Sequence, residues 1–203
     1  MVTTQRKTVQ DLLATPDDGY RYELVRGEIL RMPPAKGEHG AIEAALVEAV
    51  GRYLYTRALS RGWAEGRGLR ARNHLVGRVI SGEAGIQIRL PDDTEQVRGV
   101  DVGYLTPEQV ARIGVVSADA YFPEAPALVA EVVSPSEGAS YLEGKVADYL
   151  AGGARLVWLL FPELRTARVH LASGASFQVA ADGALEGGDV LPGFVVALAD
   201  LFP

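Results

Sequence analysis

The chain predicts an α/β (α+β) domain in which a mixed β-sheet is flanked by helices, and three features of its residue pattern carry that expectation. A hairpin pattern near the N-terminus is followed by the longest helical periodicity in the sequence. Short β-branched apolar runs then fill the middle and the last third. One of those runs, Ala127-Leu-Val-Ala-Glu-Val-Val133, is apolar almost throughout, as a strand covered on both faces is. With 203 residues and 48% hydrophobic content, residues 1–203 are expected to form a single domain around one sizeable core.

Taken in order, Thr8-Val-Gln-Asp11 has the form of a capping box and opens a short helix through Leu12 and Leu13. Tyr20 to Val25 and Glu28 to Met32 flank Arg26-Gly27 and read as an N-terminal β-hairpin with a glycine-containing turn. From His39 to Ser60, Ile42, Leu46, Ala49, Val50, Tyr53 and Leu54 recur at helical spacing and give a long amphipathic helix. Candidate strands follow at Trp63 to Arg70, Gly85 to Leu90, Val97 to Leu105 and Ala127 to Val133, with a short helix beginning at Thr106-Pro-Glu-Gln109. Ser140-Tyr-Leu-Glu143 is a second capping-box pattern, and Gly152-Gly153 closes the helix it opens. Arg155 to Phe161, Ala167 to Leu171 and Ser176 to Ala180 complete the strands.

Composition removes several classes of function. Without Cys there are no disulfides, thiolate nucleophiles or Cys-ligated metal sites, which leaves oxygen and imidazole as ligands. No stretch reaches the roughly 18 uncharged apolar residues of a membrane helix. The N-terminus, Met1-Val-Thr-Thr-Gln-Arg-Lys7, lacks a signal-peptide core, so a soluble, cytoplasmic protein is expected. The patterns G-x-x-x-x-G-K-[ST], H-E-x-x-H and G-x-S-x-G do not occur. Seventeen Arg against three Lys, with one Asn and two Met, fits either a heat-adapted source or a biased genome composition.

A net charge of −6 argues against coating nucleic acid through bulk electrostatics, yet the charge is uneven. Between Arg52 and Arg78, seven arginines face Glu65 alone. Arg57, Arg61, Arg67, Arg70 and Arg72 therefore form either a solvated face or a phosphate-facing, nucleic-acid-binding one.

Glu131 is the most informative residue, because an ionised carboxylate inside an apolar strand is costly unless it is paired or bound to a metal. Asp101 interrupts a second apolar run, Val97-Arg-Gly-Val-Asp-Val-Gly-Tyr-Leu105, and Lys145 lies in the helix after Ser134-Pro-Ser136. Two strand carboxylates and a lysine are the parts of a metal-dependent phosphodiesterase. Alternation places Glu131 with Val129 and Val133 on one face. Gly99 and Gly103 flank Asp101 at the same spacing and either leave a pocket beside its carboxylate or mark a bulge. On the helix, Leu142, Val146, Tyr149 and Leu150 form the apolar stripe with Lys145 at its edge, so its ammonium either reaches the sheet or snorkels to solvent.

The order Tyr22-Glu-Leu-Val-Arg-Gly-Glu28, His39 at the head of a long helix, Val100-Asp-Val102, Pro126-Ala-Leu-Val-Ala-Glu-Val-Val-Ser-Pro-Ser136, Lys145 with Tyr149, and Gly153-Ala-Arg-Leu-Val-Trp158 resembles the Uma2 family of endonucleases. That family lies in the PD-(D/E)XK, restriction-endonuclease-like superfamily. The resemblance implies a restriction-endonuclease-like fold with Asp101, Glu131 and Lys145 as catalytic residues. It further implies Mg²⁺ or Mn²⁺ held by Asp101, Glu131 and the backbone carbonyl of Val132, with nucleic acid, DNA ahead of RNA, as substrate. Three positions depart from the motif: Val100 replaces the usual proline, Val133 occupies the simple lysine slot, and Tyr141 replaces an acid one turn before Lys145. The resemblance implies that the lysine has moved from the Val133 position to Lys145.

Glu23 and His39 are also picked out by the resemblance, as auxiliary residues, and a cap, a hydrogen-bonded pair or a solvated face is the alternative reading of each. Glu83 is a candidate extra ligand or an exposed turn acid. The oligomeric state stays open between a monomer and the homodimer that analogy with restriction-like nucleases suggests. Two other classes stay open: a catalytically silent nucleic-acid- or protein-binding module on the same fold, and an interaction domain whose acids form ordinary buried ion pairs, for example with Arg98 or Arg155.

Overall fold

The computed structural model describes residues 6–64, 66–92, 94–117 and 119–203. Helix α1 (Val9–Leu13) starts at Thr8, whose side chain and Asp11 cap each other reciprocally. Strands β1 (Arg21–Val25) and β2 (Glu28–Met32) pair through Arg26-Gly27. Both turn residues have positive φ, 51° and 83°, as a type I′ hairpin turn demands. Helix α2 (Gly37–Ser60) follows and buries Ile42, Leu46, Val50, Leu54 and Ala58, one residue per turn along a single stripe.

After α3 (Gly68–Val76), strands β3 (Arg78–Arg89) and β4 (Glu95–Leu105) form a long hairpin. Next come α4 (Pro107–Ile113), β5 (Leu128–Val132), α5 (Ala139–Ala151), β6 (Leu156–Phe161), β7 (Thr166–Leu171) and β8 (Ser176–Val179). The sheet runs β2-β1-β4-β5-β6-β7-β8, with β3 on the other edge of β4. Its β5–β6 pair is parallel, connected through α5, and the sheet is mixed as a result. A small β9 (Ala184–Glu186) and β10 (Val195–Ala197) pair stands apart.

Two cores sandwich the sheet. On one face α2 and the C-terminal segment around Leu191, Phe194 and Leu198 pack on Val102, Ala130, Val132 and Trp158. On the other, Leu142, Val146 and Tyr149 of α5 pack on Val100, Val129, Val157 and Leu159. Val100 and Val102 are two residues apart, yet they serve opposite cores, whereas regular alternation would give them one face. The strand therefore turns over at Asp101. Opposite it, β3 carries a bulge: Ser81 pairs with Val102 and Ala84 with Val100, so Gly82 and Glu83 face Asp101 alone.

The second edge of β4 is shared. β1 reaches it at Val97, and β5 pairs from Val102 to Tyr104, leaving Gly99 between two partners. Side chains complete this gap: Gly99 N–H donates to Glu23 Oε1 at 3.0 Å, and Tyr149 Oη donates to the Gly99 carbonyl at 2.6 Å. A sheet opened at that point, with its backbone groups satisfied by side chains, places polar groups from β1, β4, β5 and α5 together.

Several expectations need correction. Among the described residues, Trp63 to Arg70 holds no strand; from Gly68 the segment is part of α3, whose Leu-Arg-Ala-Arg run favours helix and which Gly77 ends at φ 88°. The first half of β3, Arg78 to Ala84, was not anticipated, because its bulge breaks the period-two pattern. Helix α5 starts two residues earlier than the Ser140 pattern implies, with Gly138 as its cap and no side-chain capping bond. No pocket opens beside the glycines of β4. A Cβ at Gly103 would lie 2.7 Å from Pro126 Cγ and 3.0 Å from Ile80 Cγ1, and the space beside Gly99 holds the Glu23 carboxylate.

Gly103 is thus a close-approach glycine. Gly103→Ala is expected to destabilise the protein by about 1–3 kcal/mol, because the proline ring cannot yield as a flexible side chain would. Urea unfolding measures this, and an unchanged midpoint would mean that Pro126 does not press on β4.

Candidate active site

Glu131 projects from β5 with 3% of its surface exposed, and both of its oxygens are engaged. Oε2 accepts from the Lys145 ammonium of α5, and Oε1 lies 2.7 Å from Tyr149 Oη, whose single proton is shared between it and the Gly99 carbonyl. Lys145 does not snorkel. It is as buried as its partner, and its ammonium also lies 3.8 Å from Glu23 Oε1. Burial works against the lysine charge, but Glu131, Glu23 and Asp101 together hold its pKa above the usual lysine value. Burial dominates at Glu131 and pushes it up to about 8, against the pull of Lys145.

Glu23 ties this pair to the sheet. It accepts from Arg98 Nη1 at 2.9 Å, from Tyr141 Oη at 2.8 Å and from Gly99 N–H. Burial alone would raise its pKa, yet Lys145 and Arg98 hold it below the ordinary value. Arg98 in turn donates Nε and Nη2 to Asp148 Oδ2, at 2.8 and 2.6 Å, and Gln96 donates to the other oxygen of Asp148 at 2.8 Å. Tyr141, which stands where an acid was expected, therefore serves as a hydrogen-bond donor to Glu23. Arg98 pairs with neither Asp101 nor Glu131, and Arg155 meets Asp189 at the surface.

Asp101 sits where the two halves of the site join. One step beyond the last pair of β4 and β5, Val102 with Ala130, the register brings Asp101 opposite Glu131. Its Oδ2 accepts from Val132 N–H at 2.7 Å and lies 3.2 Å from His39 Nε2. Burial would raise the Asp101 pKa, but the His39 hydrogen bond and the charges of Lys145 and His39 lower it overall. The same contact outweighs burial at His39 and raises the imidazole pKa.

His39 and Glu43 are one turn apart on the first turns of α2, with Nε2 and Oε1 3.1 Å apart. Glu83 reaches the same spot from the β3 bulge, where it adopts φ 59°, a left-handed conformation that the bulge imposes on a residue other than glycine. One ligand atom from each of His39, Glu43, Glu83 and Asp101 lies within 4.8 Å of the others. Arg21 forms an ion pair with Glu83. Burial, followed by the charges of Asp101 and Glu43, pushes Glu83 up to about 7 despite Arg21, and burial with Asp101 also raises Glu43.

Sequence reasoning identified Asp101, Glu131, Lys145, Glu23, His39 and Glu83, and the structure brings all six into this region. It missed Glu43, Arg21, Asp148 and the supporting role of Arg98. The spacing of His39 and Glu43 was a usable signal, since residues four apart share a helix face. The arginine segment lies elsewhere. Arg57 stands 18 residues along α2 from His39, roughly 27 Å at 1.5 Å per residue. Arg57 donates to Tyr53 Oη, Arg61 to the Leu75 carbonyl and Arg72 to Asn73, while Arg67 and Arg70 are exposed. Glu65, the one acid of that segment, falls outside the described residues.

A mixed sheet covered by helices, with acids on adjacent strands and a lysine from the following helix between them, has the architecture of a restriction-endonuclease-like nuclease. The chain belongs to the Uma2 family: the model of that family, described as "Putative restriction endonuclease", matches residues 9–199. A crystal structure described as "a putative nuclease belonging to DUF820" from Anabaena variabilis superposes with a TM-score of 0.72, covering 96% of this chain and 97% of that one. The two sequences are 18% identical, so the likeness is one of fold. No curated protein matches the chain. Among the described residues, no helix is long and apolar enough to cross a membrane.

The raised acids set the sign of a pH effect. The Glu83 pKa is about 7 in the folded protein against an ordinary 4.5, so between those values the native state holds a proton the unfolded chain has lost. Stability then falls as pH rises through that window. His39 adds the same sign at higher pH, since its stabilisation is present below its ordinary 6.5 and is lost as pH rises through its raised folded value. In EDTA, Glu83→Gln is expected to remove a decline on the order of 1–3 kcal/mol between about pH 5 and 7. Thermal melts across that range test this, and equal slopes in both proteins would contradict it.

Proposed function

We propose that the protein is a metal-dependent nuclease that hydrolyses phosphodiester bonds of nucleic acid, DNA in preference to RNA. The observation that carries this reading is the Lys145–Glu131 pair, buried beside Asp101 and joined to it through neighbouring strands. A structural ion pair would satisfy itself, whereas this cluster does not. Six carboxylates, Glu23, Glu43, Glu83, Asp101, Glu131 and Asp148, meet four cationic groups, Arg21, His39, Arg98 and Lys145. With every carboxylate ionised and His39 protonated, two negative charges would be in excess, the charge of one divalent cation; the raised Glu83 and Glu131 are where the metal-free cluster relieves that excess by taking up protons instead.

The donor set fits such an ion, being carboxylate oxygens and one imidazole nitrogen. Asp101 would hold it, with Glu131 and the Val132 carbonyl on the adjoining strand as the partners that the family resemblance implies. Bound Mg²⁺ or Mn²⁺ supplies Lewis-acid stabilisation of phosphoryl oxygens and lowers the pKa of water. Lys145, fixed between Glu131 and Glu23 and closed to water in the free protein, would orient the attacking water and donate to the phosphoryl oxygen once substrate lies over Asp101, the role that the family resemblance implies for it. Tyr149 and Arg98 position: the first holds Glu131, the second holds Glu23. A duplex extending about eight base pairs along α2, at 3.4 Å per pair, would reach Arg57, Arg61, Arg67, Arg70 and Arg72, which then serve affinity and not chemistry.

Asp101→Asn preserves the shape of the side chain and an acceptor for Val132 N–H, and is expected to lower Mn²⁺-dependent cleavage of duplex DNA by about 100-fold or more. Lys145→Ala should do the same, with part of the loss restored by adding Val133→Lys, because Val133 packs in the same core as α5. Glu131→Gln is the less clean variant, since it strands a buried ammonium at a cost of about 3–5 kcal/mol. Gel assays on DNA and RNA duplexes decide the matter. Full activity in Asp101→Asn removes the assignment, and tight binding without cleavage by the wild type leaves the silent module.

A further inference from the structure

We infer that the ion is seated on the His39 side of Asp101, with His39, Glu43, Glu83 and Asp101 as its protein ligands, and that the imidazole makes the site select transition-metal cations such as Mn²⁺ over Mg²⁺. The inference rests on the metal-dependent reading above and deepens it, by moving the ion away from Glu131 and assigning its identity to one residue.

Access separates the two sides of Asp101. The side chains of Glu131 and Lys145 are each 4% exposed, whereas those of His39, Glu43 and Glu83 retain 15%, 16% and 13% above an Asp101 floor at 4%. An ion entering from solvent meets the second group first. Availability of lone pairs points the same way. Glu131 spends one oxygen on Lys145 and the other on Tyr149, with an ammonium charge already beside it. Glu83 also carries a cation, Arg21, on its Oε2, but no group among the described residues engages its Oε1.

The scaffold holds these four groups on separate rigid elements. His39 and Glu43 share one face of α2, Asp101 stands at the turnover point of β4, and Glu83 is aimed by the bulge opposite it. His39 Nε2 lies 3.1 and 3.2 Å from the Glu43 and Asp101 carboxylates, close enough for the three groups to reach one ion. Oxygen-only shells suit Mg²⁺, whereas imidazole nitrogen adds affinity for first-row transition ions and little for Mg²⁺. Glu43 and Glu83 supply charge for either metal. Selectivity therefore resides in His39.

The test uses metal binding without substrate. Isothermal titration of the wild type with Mn²⁺ and with Mg²⁺ is expected to give a Mn²⁺ affinity at least about tenfold higher. His39→Gln should lose about tenfold or more for Mn²⁺ and less than about threefold for Mg²⁺. Glu43→Gln should weaken both ions alike. In the Mn²⁺-loaded wild type, pulsed electron paramagnetic resonance should detect nitrogen modulation from a coordinated imidazole, absent in His39→Gln; thermal melts of the metal-free variants establish that they fold. Equal affinity for the two ions, or a wild-type spectrum without nitrogen coupling, overturns the inference. Mn²⁺ binding that survives His39→Gln and Glu43→Gln but is lost in Glu131→Gln places the ion on the other side of Asp101 and keeps the nuclease reading. Failure to bind any divalent cation at millimolar concentration defeats both.

Discussion

The ammonium of Lys145 has almost no contact with water, and the centre of the molecule is arranged to keep its charge there. Burying one cation costs several kcal/mol unless its partners surround it, and Glu131 and Glu23 do so from two different strands. Those acids need partners of their own. Glu23 takes Arg98, Tyr141 and the Gly99 N–H, Arg98 takes Asp148, and Asp148 takes Gln96. The chain of dependence runs through β1, β4, β5 and α5, so the helix cannot shift along the sheet without leaving a buried charge unpaired. This couples the positions of Lys145 on α5 and Asp101 on β4, in addition to the packing of α5 on Val100.

The same arrangement explains why the sheet opens where it does. Were β1 and β5 to continue their pairing along β4, the Gly99 carbonyl and N–H would be taken by backbone, and neither Glu23 nor Tyr149 would have a reason to be there. Their side chains replace a missing stretch of ladder. The opening and the bulge of β3 lie on opposite edges of β4, and both direct acids toward Asp101.

Much of this was legible in the sequence because charges in apolar surroundings are conspicuous. Glu131 within Leu128 to Val133, Asp101 within Val97 to Leu105, and a lysine beside a helical apolar stripe stand out in a chain with three lysines. The hairpin turn and α2 follow from local rules that the sequence states directly. What was hidden is non-local. Arg98 meets Asp148 across 50 residues, and nothing in either neighbourhood signals the pairing. Glu83 read equally as an extra ligand or a turn acid, because the bulge that aims it exists only relative to the partner strand. Glu43 resembled any polar residue on an amphipathic helix until His39 and Asp101 stood beside it. Gly99 and Gly103 read as either a pocket or a bulge, and the space beside them is instead filled, by the Glu23 carboxylate and by Pro126.

The surplus of carboxylates over cationic groups in this network connects the structural account to the catalytic one, since the metal-free cluster meets it by protonating Glu83 and Glu131 and a bound cation would meet it instead. The most direct measurement is a crystal structure of the Mn²⁺-soaked protein with anomalous data collected at the manganese edge. The account predicts an anomalous peak within roughly 2.4 Å of an Asp101 carboxylate oxygen, with Lys145 still bound to Glu131. No peak at Asp101 under saturating Mn²⁺, or a Lys145 side chain turned away from both acids, would contradict it.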